Sequence, residues 1–156
     1  MIASLNSRAT SFLRFFLVLV LVALMPAQVQ AAELKVELKL IWGTNNNTPT
    51  PKHKPVDEAT AGKLRKIFKW TNYFEMNRVT GTVPSRGTNQ FKMSKDCLIE
   101  IKELEGPKVE VKLIGEGKPV VQATHHLSKG ETINLASECK DGSGAWFVLI
   151  TELDEK

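Results

Sequence analysis

The sequence has 156 residues with 21 basic and 17 acidic side chains, which is enough for one domain with one core and leaves only a small positive charge. No Lys/Arg cluster is interleaved with aromatic residues, so the composition argues against a nucleic-acid partner. The three histidines and two cysteines are too few and too scattered to indicate a metal site, and no sequence pattern indicates a cofactor.

The chain begins with the pattern of a secretory signal peptide over residues 1–31. Arg8 and Arg14 precede an uninterrupted apolar run over residues 15–25, and Val29 and Ala31 are small residues at the two positions that a signal peptidase reads. The run is well short of the roughly 20 residues needed to cross a bilayer, so a retained anchor is the less favoured alternative. We predict cleavage after Ala31, a single domain over residues 32–156, and a secreted or periplasmic protein without a stable membrane anchor.

Residues 34–42 alternate between apolar and charged side chains, which predicts a half-buried strand that ends at Gly43. The following stretch up to Pro55 is polar and contains three prolines, so we predict an exposed loop outside any sheet. Such loops often carry binding residues. The candidates within it are Asn45, Asn46 and Asn47.

Residues 57–68 hold the only helical pattern of the predicted domain. Asp57 suits the N-cap position, and Leu64, Ile67 and Phe68 have the spacing of one apolar side, so we predict a helix of two to three turns. It should lie across one end or one face of a sheet.

An aromatic segment over residues 69–76 then predicts a strand. Trp70 and Tyr73 have opposite parity where the helix passes into this strand, so burying both in one core is difficult. They are therefore candidates for an exposed platform that stacks on sugar rings or peptide. Trp42 and Trp146 instead share the parity of aliphatic neighbours, which predicts that they fill the core.

The second half of the chain contains short apolar runs separated by turn signals. Strands are predicted within residues 79–83, 90–94, 97–104, 109–113, 120–127, 133–135 and 145–153. About eight strands at this spacing are typical of an all-β antiparallel sandwich or a barrel. We predict the sandwich, with one short helix and with an immunoglobulin-like arrangement as one option.

Cys97 and Cys139 are the only cysteines. In an oxidising exported compartment such a pair is usually bridged, so we predict a disulfide between them. The alternative is that both are small buried apolar residues. A catalytic thiol is a third and weaker reading, because neither cysteine has a recognisable arrangement of His or Asn/Asp around it.

No catalytic motif is present in the sequence. Ser143 lies between two glycines, but Asp141 stands where a nucleophile elbow requires glycine, so a polar hairpin loop is the simpler interpretation. We therefore predict no catalytic residues and a protein that is not an enzyme, with a small hydrolase as the third option.

Four segments together resemble small exported bacterial proteins of uncharacterised function. The resemblance lies in residues 40–45, in Lys69-Trp70 followed by Tyr73-Phe74, in residues 93–97 and in residues 145–148. It implies an exported β-domain. It supplies no activity, ligand or catalytic residue.

Two functions of different classes follow from these observations. The first is a non-enzymatic binding domain of the periplasm or cell envelope, which contacts an envelope or extracellular protein through an exposed strand edge or through the polar loop. The second is a carbohydrate- or cell-wall-binding module that holds a polysaccharide with Trp70 and Tyr73.

Overall fold

A computed structural model describes residues 33–46 and 53–154. They form one helix and nine strands: β1 Leu34–Thr44, β2 Lys54–Pro55, α1 Glu58–Ile67, β3 Asn72–Val83, β4 Thr88–Lys92, β5 Cys97–Glu103, β6 Lys108–Gly115, β7 Lys118–His126, β8 Thr132–Glu138 and β9 Ala145–Glu152. The predicted signal peptide, its cleavage site and Asn47 lie outside the described residues. Within the described ranges, no helix is long and apolar enough to cross a membrane.

The prediction of an all-β antiparallel sandwich with one short helix is confirmed. The five-stranded sheet has the order β2-β3-β1-β9-β8, and the four-stranded sheet has the order β4-β5-β6-β7. Four consecutive strands in one sheet differ from the immunoglobulin order, in which the strands of each sheet come from separate parts of the chain. The two predicted strands at residues 69–76 and 79–83 are one strand, β3, which pairs with β1 along its whole length around a bulge at Leu40/Ile41.

The main core lies between the two sheets. Alternate residues of β1 and β9 face alternate residues of β5 and β6, as a period of two requires. The fully buried members from these strands are Val36, Leu38, Ile99, Ile101, Val109, Val111, Val148 and Ile150.

A second, smaller core covers the opposite face of the five-stranded sheet. Ile41 and Phe147 point to this face, where Ala61 and Leu64 of α1 pack against them. The predicted N-cap is confirmed, since the Thr60 N–H donates to Asp57 Oδ1 at 2.8 Å. Ile67, predicted on the apolar side of the helix, is 62% exposed instead, because it is the last helical residue and lies away from the sheet.

Both ends of the predicted polar loop belong to the five-stranded sheet, so the prediction that this stretch lies outside any sheet is wrong there. β1 continues through Gly43 to Thr44, and both residues are buried. Lys54–Pro55 pairs with Glu75 and Phe74 as an edge strand. An edge strand tolerates proline because one side of it makes no ladder hydrogen bonds.

Candidate functional site

One end of the sandwich carries an open cleft of about 460 Å³, which we call the tryptophan cleft. It is formed by the β6–β7 turn of one sheet and by the end of β8 and the start of β9 in the other sheet. Its lining residues are Glu116, Glu138, Cys139, Lys140, Asp141 and Trp146. The cleft therefore lies where the two sheets end, outside the main core.

Trp146 is the exposed aromatic residue of this cleft. It shares the parity of Val148 and Ile150, which point into the main core, but it is the second residue of β9 and so lies beyond the packed part of the sandwich. Its side chain is 38% exposed. Trp42 is directly opposite on β1, with the two ring centroids 4.8 Å apart and the planes at 51°. The prediction that both residues fill the core is wrong for Trp146 and holds only in part for the half-buried Trp42.

Gly144 packs directly against Trp42, and a larger residue would not fit there. A Cβ on Gly144 would be 2.4 Å from Cη2 of Trp42 and 2.6 Å from the carbonyl oxygen of Gly43. Next to it, the hydroxyl of buried Thr44 donates to the Ser143 carbonyl at 2.9 Å. These contacts fix the β8–β9 loop against β1, so the two indoles are held in place.

Cys97 and Cys139 are free thiols in this structure, which therefore does not contain the predicted disulfide. Cys97 starts β5 and packs against the main core, and burial raises its pKa. Cys139 follows β8 in the other sheet. Burial and nearby Asp141 raise the pKa of its thiol, opposed by a hydrogen bond with the Trp146 side chain. The two sulfurs thus belong to different environments, one in the core and one beside the Trp146 indole.

Both acidic and basic residues line the cleft, namely Glu116, Glu138 and Asp141 together with Lys140. The backbone N–H and hydroxyl of Ser143 donate to Asp141 Oδ1 at 3.0 and 2.8 Å, and these bonds lower the pKa of that carboxyl. Glu138 is ion-paired with Lys69 at 3.0 Å.

Trp70 and Tyr73 are not an exposed platform, so that prediction is wrong. They are only 6% and 3% exposed, and both belong to the second core. Opposite parity does not prevent this, because Trp70 lies before β3 starts at Asn72 and is not bound by the alternation of a strand. Tyr73 can pack in the second core because residue 43 is a glycine. A Cβ at Gly43 would be 3.0 Å from Tyr73 Cε1.

Asn45 and Asn46 are exposed, and they anchor the loop beside the start of β3. Thr71 N–H donates to Asn45 Oδ1 at 3.1 Å, and the Asn72 side-chain amide donates to the Asn46 carbonyl at 3.2 Å. Neither residue lines the tryptophan cleft. Their hydrogen bonds give them a structural role, and binding by them stays a prediction.

β7 is the longest edge strand in the part of the chain that the structure describes. β7 is nine residues long and pairs with β6 on one side only, within the part of the chain that the structure describes. It carries no charged residue between Pro119 and Thr124, and Val120 is 50% exposed. Such an edge can accept another strand.

A second cavity of about 330 Å³ lies at the opposite end of the sandwich. Val109 and Leu127, which line it, are buried members of the main core, and no aromatic residue lines it. Its polar lining residues are Glu103, Ser128, Lys129 and Glu152, and because it has no exposed aromatic side chain the tryptophan cleft is the stronger candidate.

No family model matches this sequence, and no curated protein or solved structure matches it. No group of three or more His, Cys, Asp or Glu that could hold a metal ion occurs among residues 33–46 and 53–154.

Proposed function

We propose that this chain is a non-enzymatic binding domain of the periplasm or cell envelope and that its ligand contacts Trp146 in the tryptophan cleft. The supporting observation is a 38% exposed indole in an open cleft, in contact with a second indole whose plane is tilted by 51°. Tryptophan offers a large rigid contact area at a small entropic cost, which is why it is enriched where proteins bind partners.

The other groups in the cleft favour binding over catalysis. The raised pKa of Cys139 keeps its sulfur as a thiol at neutral pH, and a thiol is a poor nucleophile. Asp141 is occupied by two hydrogen bonds from Ser143. No histidine is among the lining residues to act as a base at neutral pH.

The extracytoplasmic part of the proposal rests on the sequence. Residues 1–31 have the three parts of a secretory signal, and the resemblance described above is to exported proteins. An exported binding domain would meet its ligand in the envelope or outside the cell.

Replacing Trp146 with alanine should abolish most of the binding to isolated cell envelopes. Truncating a central aromatic contact typically costs about 2 kcal/mol or more, which corresponds to a roughly 30-fold weaker affinity. The measurement is co-sedimentation of the mature domain with purified envelopes over a range of protein concentrations.

Ile67→Ala is the matched control for this variant. Ile67 is the most exposed large apolar residue in the part of the chain that the structure describes and lies outside the cleft, at the end of α1, so its removal also takes away surface hydrophobicity. Envelope binding should be unchanged in this control. Equal binding by the wild type, Trp146→Ala and Ile67→Ala would contradict the proposal.

A second candidate function is strand addition by a partner protein at the β7 edge, favoured by its uncharged and half-exposed outer residues.

Val120→Lys should prevent this strand addition, because the addition would desolvate the new ammonium group. We expect at least a tenfold loss of a protein partner captured from the exported fraction. Thr88→Lys on β4, the other edge of the same sheet, should have no effect, and equal losses in both variants would contradict this function.

A further inference from the structure

We propose that this chain forms a symmetric homodimer in which the β7 strands of two copies pair antiparallel about Thr124. The inference goes beyond the tryptophan cleft, and it commits the β7 edge discussed above to one occupant, a second copy of the chain. Pairing joins two four-stranded sheets into one sheet of eight strands. Because the two β7 strands run in opposite directions, the two tryptophan clefts lie at opposite ends of the joined sheet.

The hydrogen-bond pattern of the β6–β7 ladder shows which backbone groups of β7 point outward. The Leu127 N–H donates to the Pro107 carbonyl at 2.8 Å, and this contact continues the register that pairs Lys108 with His126. In an antiparallel ladder, hydrogen-bonded pairs alternate with pairs that are not hydrogen-bonded to each other. Residues 121, 123 and 125 therefore bond to β6, whereas the backbone N–H and C=O groups of residues 122, 124 and 126 point away from β6.

The outward backbone groups of Gln122, Thr124 and His126 are available to another strand. In the part of the chain that the structure describes, no side chain hydrogen-bonds to them. None of the three residues is Lys, Arg, Asp or Glu, the charged types that commonly protect a sheet edge. The other edge of the same sheet differs, because on β4 the Gln90 N–H donates to Asn89 Oδ1 at 2.8 Å. The open row of donors and acceptors is thus a property of β7.

The start of β7 is protected, and this sets the centre of the pairing. Pro119 has no N–H, and Val120 is an extra residue without a partner on β6, which forms a bulge that bends the edge. The regular part is therefore residues 122–126, with Thr124 in the middle. A two-fold axis at Thr124 places the two Thr124 residues opposite each other and gives about six backbone hydrogen bonds between the copies.

The charged residues of β6 do not oppose this pairing. Glu110 is next to Thr124, so the two copies of Glu110 lie three strand spacings apart, roughly 14 Å. The same spacing separates Lys108 of one copy from Lys112 of the other. Roughly 14 Å exceeds the Debye length of about 8 Å at physiological ionic strength, so the repulsion is screened.

Sedimentation equilibrium of the purified protein tests whether the dimer exists. At least half of the wild-type chain should be dimeric at about 500 µM, which is a modest affinity suited to a small interface. Thr124→Pro removes an outward N–H that β6 does not use, so association should weaken at least tenfold while the fold is kept. Circular dichroism checks that the variant is folded.

Thr88→Pro is the matched control. Thr88 is also an exposed threonine on an edge strand of the same sheet. Its N–H also points outward, because the neighbouring Gly87 carbonyl accepts from the Glu103 N–H of β5 at 3.0 Å. This variant should associate like the wild type.

Cysteine cross-linking tests the register and does not depend on how Thr124→Pro folds. In Thr124→Cys the two introduced thiols are opposite each other at the two-fold axis, with Cα atoms about 5.5 Å apart, which suits a disulfide. Most of this variant should become a covalent dimer on mild oxidation. Gln122→Cys is the control, because its two thiols are four residues out of register and roughly 14 Å apart. It should cross-link no more than the wild type, which contains Cys97 and Cys139.

Three results would overturn the inference. They are a wild-type chain that stays monomeric at the highest concentration, equal association of Thr124→Pro and Thr88→Pro, and equal cross-linking of the two cysteine variants. If the chain is monomeric while Val120→Lys still loses a captured protein partner, the homodimer fails and strand addition by another protein stands. Neither assay involves Trp146, so the proposed function of the cleft is tested independently.

Discussion

Gly144→Ala is expected to lower the melting temperature on the order of 10 °C and to disorder the tryptophan cleft. The added Cβ would be 2.4 Å from Trp42 Cη2 and 2.6 Å from the Gly43 carbonyl oxygen. The indole cannot rotate away easily because it is in contact with Trp146, and the oxygen is part of β1. Overpacking of this kind costs about 1–3 kcal/mol, which gives a shift of that size in a domain of this length.

Gly62→Ala is the control and should act in the opposite direction. Gly62 lies inside α1, and a Cβ there would have no neighbour within 4 Å. Alanine in place of glycine in a helix stabilises by about 0.5–1 kcal/mol. Thermal unfolding followed by circular dichroism measures both variants. If Gly144→Ala and Gly62→Ala changed the melting temperature by the same amount in the same direction, the close contacts of a Cβ at residue 144 would not be destabilising.

Phe147→Ala is expected to lower the free energy of unfolding by about 3–5 kcal/mol, the usual cost of removing a large buried aromatic side chain. Phe147 is fully buried, and its ring centroid is 4.6 Å from that of Phe68 and 5.7 Å from that of Tyr73. It is the central member of the second core, so its loss should also release α1 from the sheet.

Urea unfolding of the mature domain measures this cost, and Trp146→Ala serves as the control. The two residues are neighbours on β9, but Trp146 faces the cleft and Phe147 faces the second core. Trp146→Ala should therefore cost much less stability while reducing binding. A cost below about 1 kcal/mol for Phe147→Ala would mean that the surrounding residues close the cavity or that the second core contributes little.

Strand positions could be predicted from the sequence because a period of two is a local property. Residues 97–104 were enough to predict β5 at Cys97–Glu103, and Asp57 was enough to predict the start of α1. In each case, neighbours in the chain decide the structure. Apart from the merged β3, the predicted strand ends differ from the observed ends by up to three residues, as at the end of β8.

The candidate site could not be predicted in the same way. Parity indicates which face of a sheet a side chain occupies, but it does not indicate how far along the sandwich the residue lies. Trp146 has core parity and is exposed because the packed region ends before it, whereas Trp70 has no strand parity and is buried. The edge pairing of Pro55 also depends on contacts between distant parts of the chain.

The pairing of β1 with β9 has a consequence for how the chain folds. The four-stranded sheet consists of consecutive hairpins and can form from local contacts as soon as β7 is available. The other sheet is different, because its central pair joins Val36 to Glu152, nearly the full length of the domain apart. Closing so long a loop is slow, so β1 and β3 can pair with each other before β9 adds to β1. The five-stranded sheet is therefore completed only when the last strand adds, and truncation before Ala145 removes the β1–β9 ladder at its centre.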